Sequence, residues 1–169
     1  MKKFISPAVC GFAAGVLQVV PLIKSFSCCL IIPGAAFLSL WLDQKASKSI
    51  DKIPMKKAFV FGLLTGLTAA CFGTVFEVLV TFITRQNDVI IAFPELQRMV
   101  EDFPLSTELK NQVMEIFQTV RKELMETGFS WLYTFTVLFN NIIVNSFFGV
   151  AGGLIGAQIL NSKNKSSEV

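Results

Sequence analysis

The sequence predicts an all-α polytopic membrane protein, with four transmembrane helices and an amphipathic helical insert between the third and the fourth. Three observations predict it. Of the 169 residues, 53% are hydrophobic and mean hydropathy is +0.61, outside the range of ordinary soluble domains. Only 16% are charged, and these cluster between apolar runs, where water is available to them. The runs cover residues 4–23, 26–42, 58–84 and 129–160, near or above the roughly 20 residues that cross a bilayer as a helix. Residues 1–169 read as a single membrane domain, with 85–128 as the extramembrane insert and 161–169 as a polar, disordered tail.

Composition also excludes several functions. The chain has no histidine, which removes the commonest general base and the commonest metal ligand. A net charge of +3 is too small to argue for nucleic acid. Cys10, Cys28, Cys29 and Cys71 are not at metal-ligand spacing. They read as small polarizable packing residues, with redox or lipid chemistry as the alternative. No catalytic residue, metal or cofactor is expected.

The first run follows Lys2 and Lys3 as a signal-peptide core would. No small-x-small site follows it, and Ser25-Phe26-Ser27 before Cys28 lacks the aliphatic residue of a lipoprotein site, so it reads as the first membrane helix. Pro7 falls in its first turn, where a missing donor costs little. Gly11 and Gly15 form a G-x-x-x-G pair, Gln18 is its polar interior residue, and Pro21 and Lys24 end it. The second run is short and contains Pro33-Gly34, so it kinks or re-enters, although full spanning is the preferred reading. Trp41 near its end fits an interfacial anchor. The lysine-rich stretch DQKASKSIDKIPMKK follows.

The third run contains Gly62, Gly66 and Gly73, and also Glu77, the one charged residue deep in any run. An intramembrane carboxylate is a functional hypothesis by default. The insert at 85–128 carries eight acids, five bases and two prolines, Pro94 and Pro104. Ser106 or Thr107 caps a helix running to Gly128, with Leu109, Val113, Ile116, Phe117, Val120 and Leu124 at spacings of three and four. That stripe packs on a shorter helix around 95–102, lies among lipid headgroups or meets a partner protein. The fourth run places Asn140, Asn141 and Asn145 in its first half and Gly149, Gly152, Gly153 and Gly156 in its second.

Lys2, Lys3, the cluster Lys45, Lys48, Lys52, Lys56 and Lys57, and then Lys163 and Lys165 all fall on one side of a four-span chain. The positive-inside rule makes that side, and both termini, cytoplasmic. At about 1.5 Å per residue, Gln18, Glu77, Asn140 and Asn141 then lie in the outer half of the membrane, as a polar cluster that opens an outward cleft. Gly11, Gly62, Gly66, Gly149, Gly152, Gly153 and Gly156 lie toward the cytoplasmic half, with Gly15 near the middle, and serve helix packing. The plainer reading of Glu77 is a clasp to an asparagine, holding two helices together.

The basic loop running into KKAFVFGLL, the amphipathic insert, and the glycine-bearing last helix ending in LIGAQILNSKNK resemble an uncharacterised family of small four-helix bacterial inner-membrane proteins, a domain of unknown function. The resemblance covers the layout of nearly the whole chain. It implies a multi-pass membrane location and carries over no catalytic residue. The Cys28-Cys29 and Pro33-Gly34 pairs depart from the pattern. Small multidrug exporters also have four helices and a membrane carboxylate, but theirs lies in the first helix of a shorter chain, and this chain does not match them.

The expectation is therefore a non-enzymatic multi-pass protein of the inner (plasma) membrane. It would act as an accessory subunit or self-assembling bundle whose partners are the lipid bilayer and a homo-oligomer or larger membrane complex. The alternative is a small solute or proton-coupled transporter or channel that uses Glu77.

Overall fold

The computed structural model describes residues 4–24, 26–47 and 51–166. Lys2, Lys3, Lys48 and the last residues of the tail, 167–169, lie outside them. The fold is all-α. Helices α1 (Ile5–Leu17), α2 (Pro21–Lys24) and α3 (Ile32–Ser47) come first, with a π-helical turn over Ser27–Ile31 ahead of α3. Then follow α4 (Met55–Thr84), α5 (Asp88–Asp102), α6 (Thr107–Glu126) and α7 (Trp131–Ser166).

Two prolines shape the first part. Pro21 has no N–H with which to bond the carbonyl four residues back. Accordingly α1 stops at Leu17, and the chain tightens through Val19 N–H to Val16 O (3.3 Å) and Val20 N–H to Leu17 O (3.2 Å), the closer-wound bonding usual at helix ends. Pro33 poses the same problem one element later, and the π turn stands directly ahead of it. There the Ile31 N–H reaches back to Phe26 O at 3.4 Å, so the misfit is absorbed as a wide turn.

These breaks shorten the continuous helices within the first two of the four expected spans. At 13 residues, α1 is about 20 Å long against a hydrocarbon core of about 30 Å. The 16 residues of α3 end in polar Asp43, Gln44 and Lys45. Among the described residues only α4 and α7 are long and apolar enough to cross a membrane.

The chain divides into two compact units, 1–76 with 137–169, and 77–136. In the first, α4 approaches α1 and α7 at glycines. A Cβ on Gly11 would stand 2.6 Å from Thr65 O, one on Gly15 2.9 Å from Gly73 N, one on Gly149 2.5 Å from Gly62 O, and one on Gly153 2.5 Å from Ala58 O. Gly62 and Gly66 meet the Gly149 and Asn145 carbonyls in turn, Gly152 lies on Pro33, and Gly156 lies against Phe37. Beside these contacts Leu40, Ile53, Ala58, Phe61, Ala157 and Leu160 form one buried cluster. Cys10, Ala14, Ile32, Ala35 and Ala69 form another.

The last helix continues past residue 160 to Ser166, so part of the expected disordered tail is helical. Asn161 supplies the reason. Its Oδ1 accepts the Ile53 N–H at 2.8 Å, and its Nδ2 donates to Ile53 O at 3.1 Å, so one amide satisfies both backbone groups of Ile53, two residues before α4.

In the second unit α5 and α6 pack on each other. Ser106 caps α6, and Gly128, at φ +75°, takes the left-handed position past its end. The short helix expected around 95–102 instead begins at Asp88, because Asn87 caps it by accepting the Val89 N–H at 2.9 Å. Pro94 is carried inside that helix. Of the stripe on α6, Val120 and Leu124 are buried, whereas Leu109 and Ile116 are exposed.

Gly34 has no neighbour within reach of an added Cβ, which makes it an internal control. Gly34→Ala should leave stability unchanged or raise it by up to about 1 kcal/mol. Gly149→Ala should cost about 1–3 kcal/mol, because the displaced group is backbone. Thermal unfolding of the two variants checks this, and equal melting temperatures would contradict the packing.

Candidate functional site

The polar residues inside the apolar runs are the site candidates, and they divide between the units. Glu77 belongs to the second, on the last turns of α4. Thr81, one turn on, shares its helical face, Asn87 caps α5, and Tyr133 sits in the first turn of α7. The Tyr133 hydroxyl donates to Glu77 Oε1 at 2.8 Å and accepts from Asn87 Nδ2 at 2.8 Å. The same Nδ2 donates to Thr81 Oγ1 at 2.8 Å. Thr81, Asn87 and Tyr133 are buried, and Glu77 is half-buried.

This chain of bonds has a direction. Asn87 gives one amide hydrogen to Thr81 and the other to Tyr133, and uses its oxygen on the α5 backbone. Tyr133 therefore has its single proton left for the carboxyl of Glu77. The arrangement ties the ends of α4 and α7 to the start of α5, and each link replaces a buried unsatisfied group that would cost about 1–3 kcal/mol.

In the first unit Gln18 faces Asn145 through a reciprocal amide pair, Nε2 to Oδ1 at 3.1 Å and Nδ2 to Oε1 at 3.3 Å. Gly73 makes room for it, since a Cβ there would stand 2.5 Å from Gln18 Oε1. Asn141 Nδ2 donates to Thr74 Oγ1 at 3.0 Å, and Asn140 is exposed. The polar partners of Gln18 and Asn141 within their own unit are thus Asn145 and Thr74.

Among the described residues no group of three or more His, Cys, Asp or Glu is placed to hold a metal ion. Cys10 is buried, and Cys29 and Cys71 are exposed thiols. The side chain of Cys28 lies outside the described ones.

Sequence reasoning singled out Glu77 and missed Tyr133, which bonds it, and Asn87 and Thr81, which follow in the series. Tyr133, two residues after Trp131, reads as part of an interfacial aromatic belt, and Asn87 reads as loop. The available signals were the four-residue spacing of Glu77 and Thr81, and the fact that Tyr133 is the chain's one tyrosine.

Tyr133→Phe should destabilise the chain by about 1–3 kcal/mol, because it leaves a buried Asn87 hydrogen unanswered and removes the hydroxyl bond to Glu77. Glu77→Gln keeps a carbonyl acceptor for the hydroxyl and should cost under about 1 kcal/mol. Denaturant titration gives the order, and the reverse order would mean that the hydroxyl does not serve Glu77.

The chain matches no family model, no curated protein and no solved structure.

Proposed function

We propose that this chain is a non-enzymatic, multi-pass inner-membrane protein that acts through protein partners, as an accessory subunit or self-assembling bundle. The carrying observation is where its large apolar side chains lie. Phe135, Phe139, Ile143, Phe147, Ile155 and Ile159 of α7 are all more than half exposed, as are Ile91 and Met99 of α5, Phe103 beyond it and Ile116 of α6. Exposed apolar surface on this scale marks membrane or partner contact. Gln18, Asn145, Asn141, Thr74 and Glu77 inside the apolar runs are meanwhile bonded to polar side chains.

In the four-span form of this reading, α1 and α2 together make the first crossing, and the π turn with α3 makes the second. The lysine-rich segment between α3 and α4 and both termini then lie in the cytoplasm. Lys45 stands over the Trp41 ring at 4.8 Å, a pairing suited to the headgroup level. The glycine contacts of α4 with α1 and α7 favour a bundle that packs by close backbone approach.

A second reading, solute or proton handling, draws on the bonded series of amide and hydroxyl groups that ends on a half-buried carboxyl, Glu77. Purification of the native protein in mild detergent, beside Glu77→Gln, separates the two. Stoichiometric partners or a defined oligomer retained by both proteins is the expected result. A partnerless protein whose proton flux in vesicles is lost in Glu77→Gln would favour the second reading and overturn the first.

A further inference from the structure

A groove of about 530 Å³ opens in the first unit where the lysine-rich segment meets the apolar run of α4. It is lined by Phe4, Pro54, Val60 and Phe61, and by Asp43, Ser47, Lys56 and Lys57. The size falls within the range of small-ligand sites, about 300–1,000 Å³. Its chemistry is divided between aromatic and aliphatic side chains and polar groups contributed by the α3 end and the start of α4.

The charges are not equivalent. Asp43 pairs with Lys57 at 2.5 Å, and the Lys57 ammonium also stands 5.4 Å from the Phe61 ring centroid. Lys57 therefore neutralises the one acid of the groove. Lys56 beside it is exposed and forms no ion pair among the described residues. Lys45 and Lys52 add positive charge nearby in the sequence, against Asp43 and Asp51. The surroundings favour a ligand with an anionic head and an apolar body.

We propose that this groove binds an anionic phospholipid, its phosphate at Lys56 and its acyl chain along Phe4, Val60 and Phe61. The site rests on the membrane reading for its supply of ligand. Phe4 of the lining is exposed, and so are Met55 and Phe59, each next to lining residues in the sequence, which gives an acyl chain further apolar surface. Lysines near a bilayer surface each attract anionic lipid by an amount equivalent to about a fivefold change in binding. Held in a groove, that attraction becomes selectivity for the headgroup.

The test is native mass spectrometry of delipidated full-length protein, titrated with phosphatidylglycerol and with phosphatidylcholine. Wild type should retain the first about fivefold better. Lys56→Gln should abolish the preference, and Val60→Trp, which fills the groove, should reduce retention of both lipids. Lys52→Gln removes the same charge from the same segment outside the groove and should leave the preference intact. An equal loss in Lys52→Gln and Lys56→Gln, or unchanged retention in Val60→Trp, overturns the proposal. Carbonate extraction of cell membranes tests the membrane reading separately, and the titration applies to protein recovered from either fraction.

Discussion

The fold depends on how closely α4 and α7 approach. At Gly62 and Gly149 the helices meet backbone to backbone, with no room for a methyl group on either side. Such a contact relies on dispersion between well-fitted surfaces, which remains available where burial in lipid gives no hydrophobic gain. It also fixes register. With α7 set against Gly62 and Gly66, Gly152 falls on Pro33 and Gly156 on Phe37, which seats α3 in the same unit. Asn161 then meets Ile53, so a residue that looks like loose tail closes the unit.

Around that contact the polar side chains are used economically. Gln18 and Asn145 answer each other through both amide groups, and Asn141 takes Thr74. Each such bond within a membrane protein contributes only about 0.6–2 kcal/mol. Their larger effect is on specificity, because a slipped register would leave every amide unpaired in apolar surroundings. In the other unit Asn87 does the same for three elements at once, capping α5 while bonding Thr81 of α4 and Tyr133 of α7.

Some of this was legible in the sequence. The all-helical class followed from apolar run length, and the start of α6 from Ser106, because both are local properties. The end of α1 and the start of α5 were not legible, for two different reasons. Pro21 brings no N–H to the carbonyl four residues back, so the helix ends before the apolar run does. Asn87 caps α5, so Pro94 is tolerated inside the helix instead of marking its start. Tyr133 was hidden because its partners are 46 and 56 residues away, and no periodicity reports a hydrogen bond between helices that distant in the chain.

The exposed side of α7 limits what can surround this protein. Only 33% of its apolar window is buried, against 44% for α4, although α7 is the longer helix. Phe135, Phe139, Ile143, Phe147 and Ile155 are 54–70% exposed. At about 1.5–3 kcal/mol for covering each such side chain, leaving them in water forgoes on the order of 5–10 kcal/mol. That is comparable to the whole net stability of a typical domain, about 5–15 kcal/mol. The glycine face is already used inside the unit, so this stripe is left for another apolar surface to cover. Lipid answers it without any specific partner. A second helix answers it only if that helix is as apolar and as long.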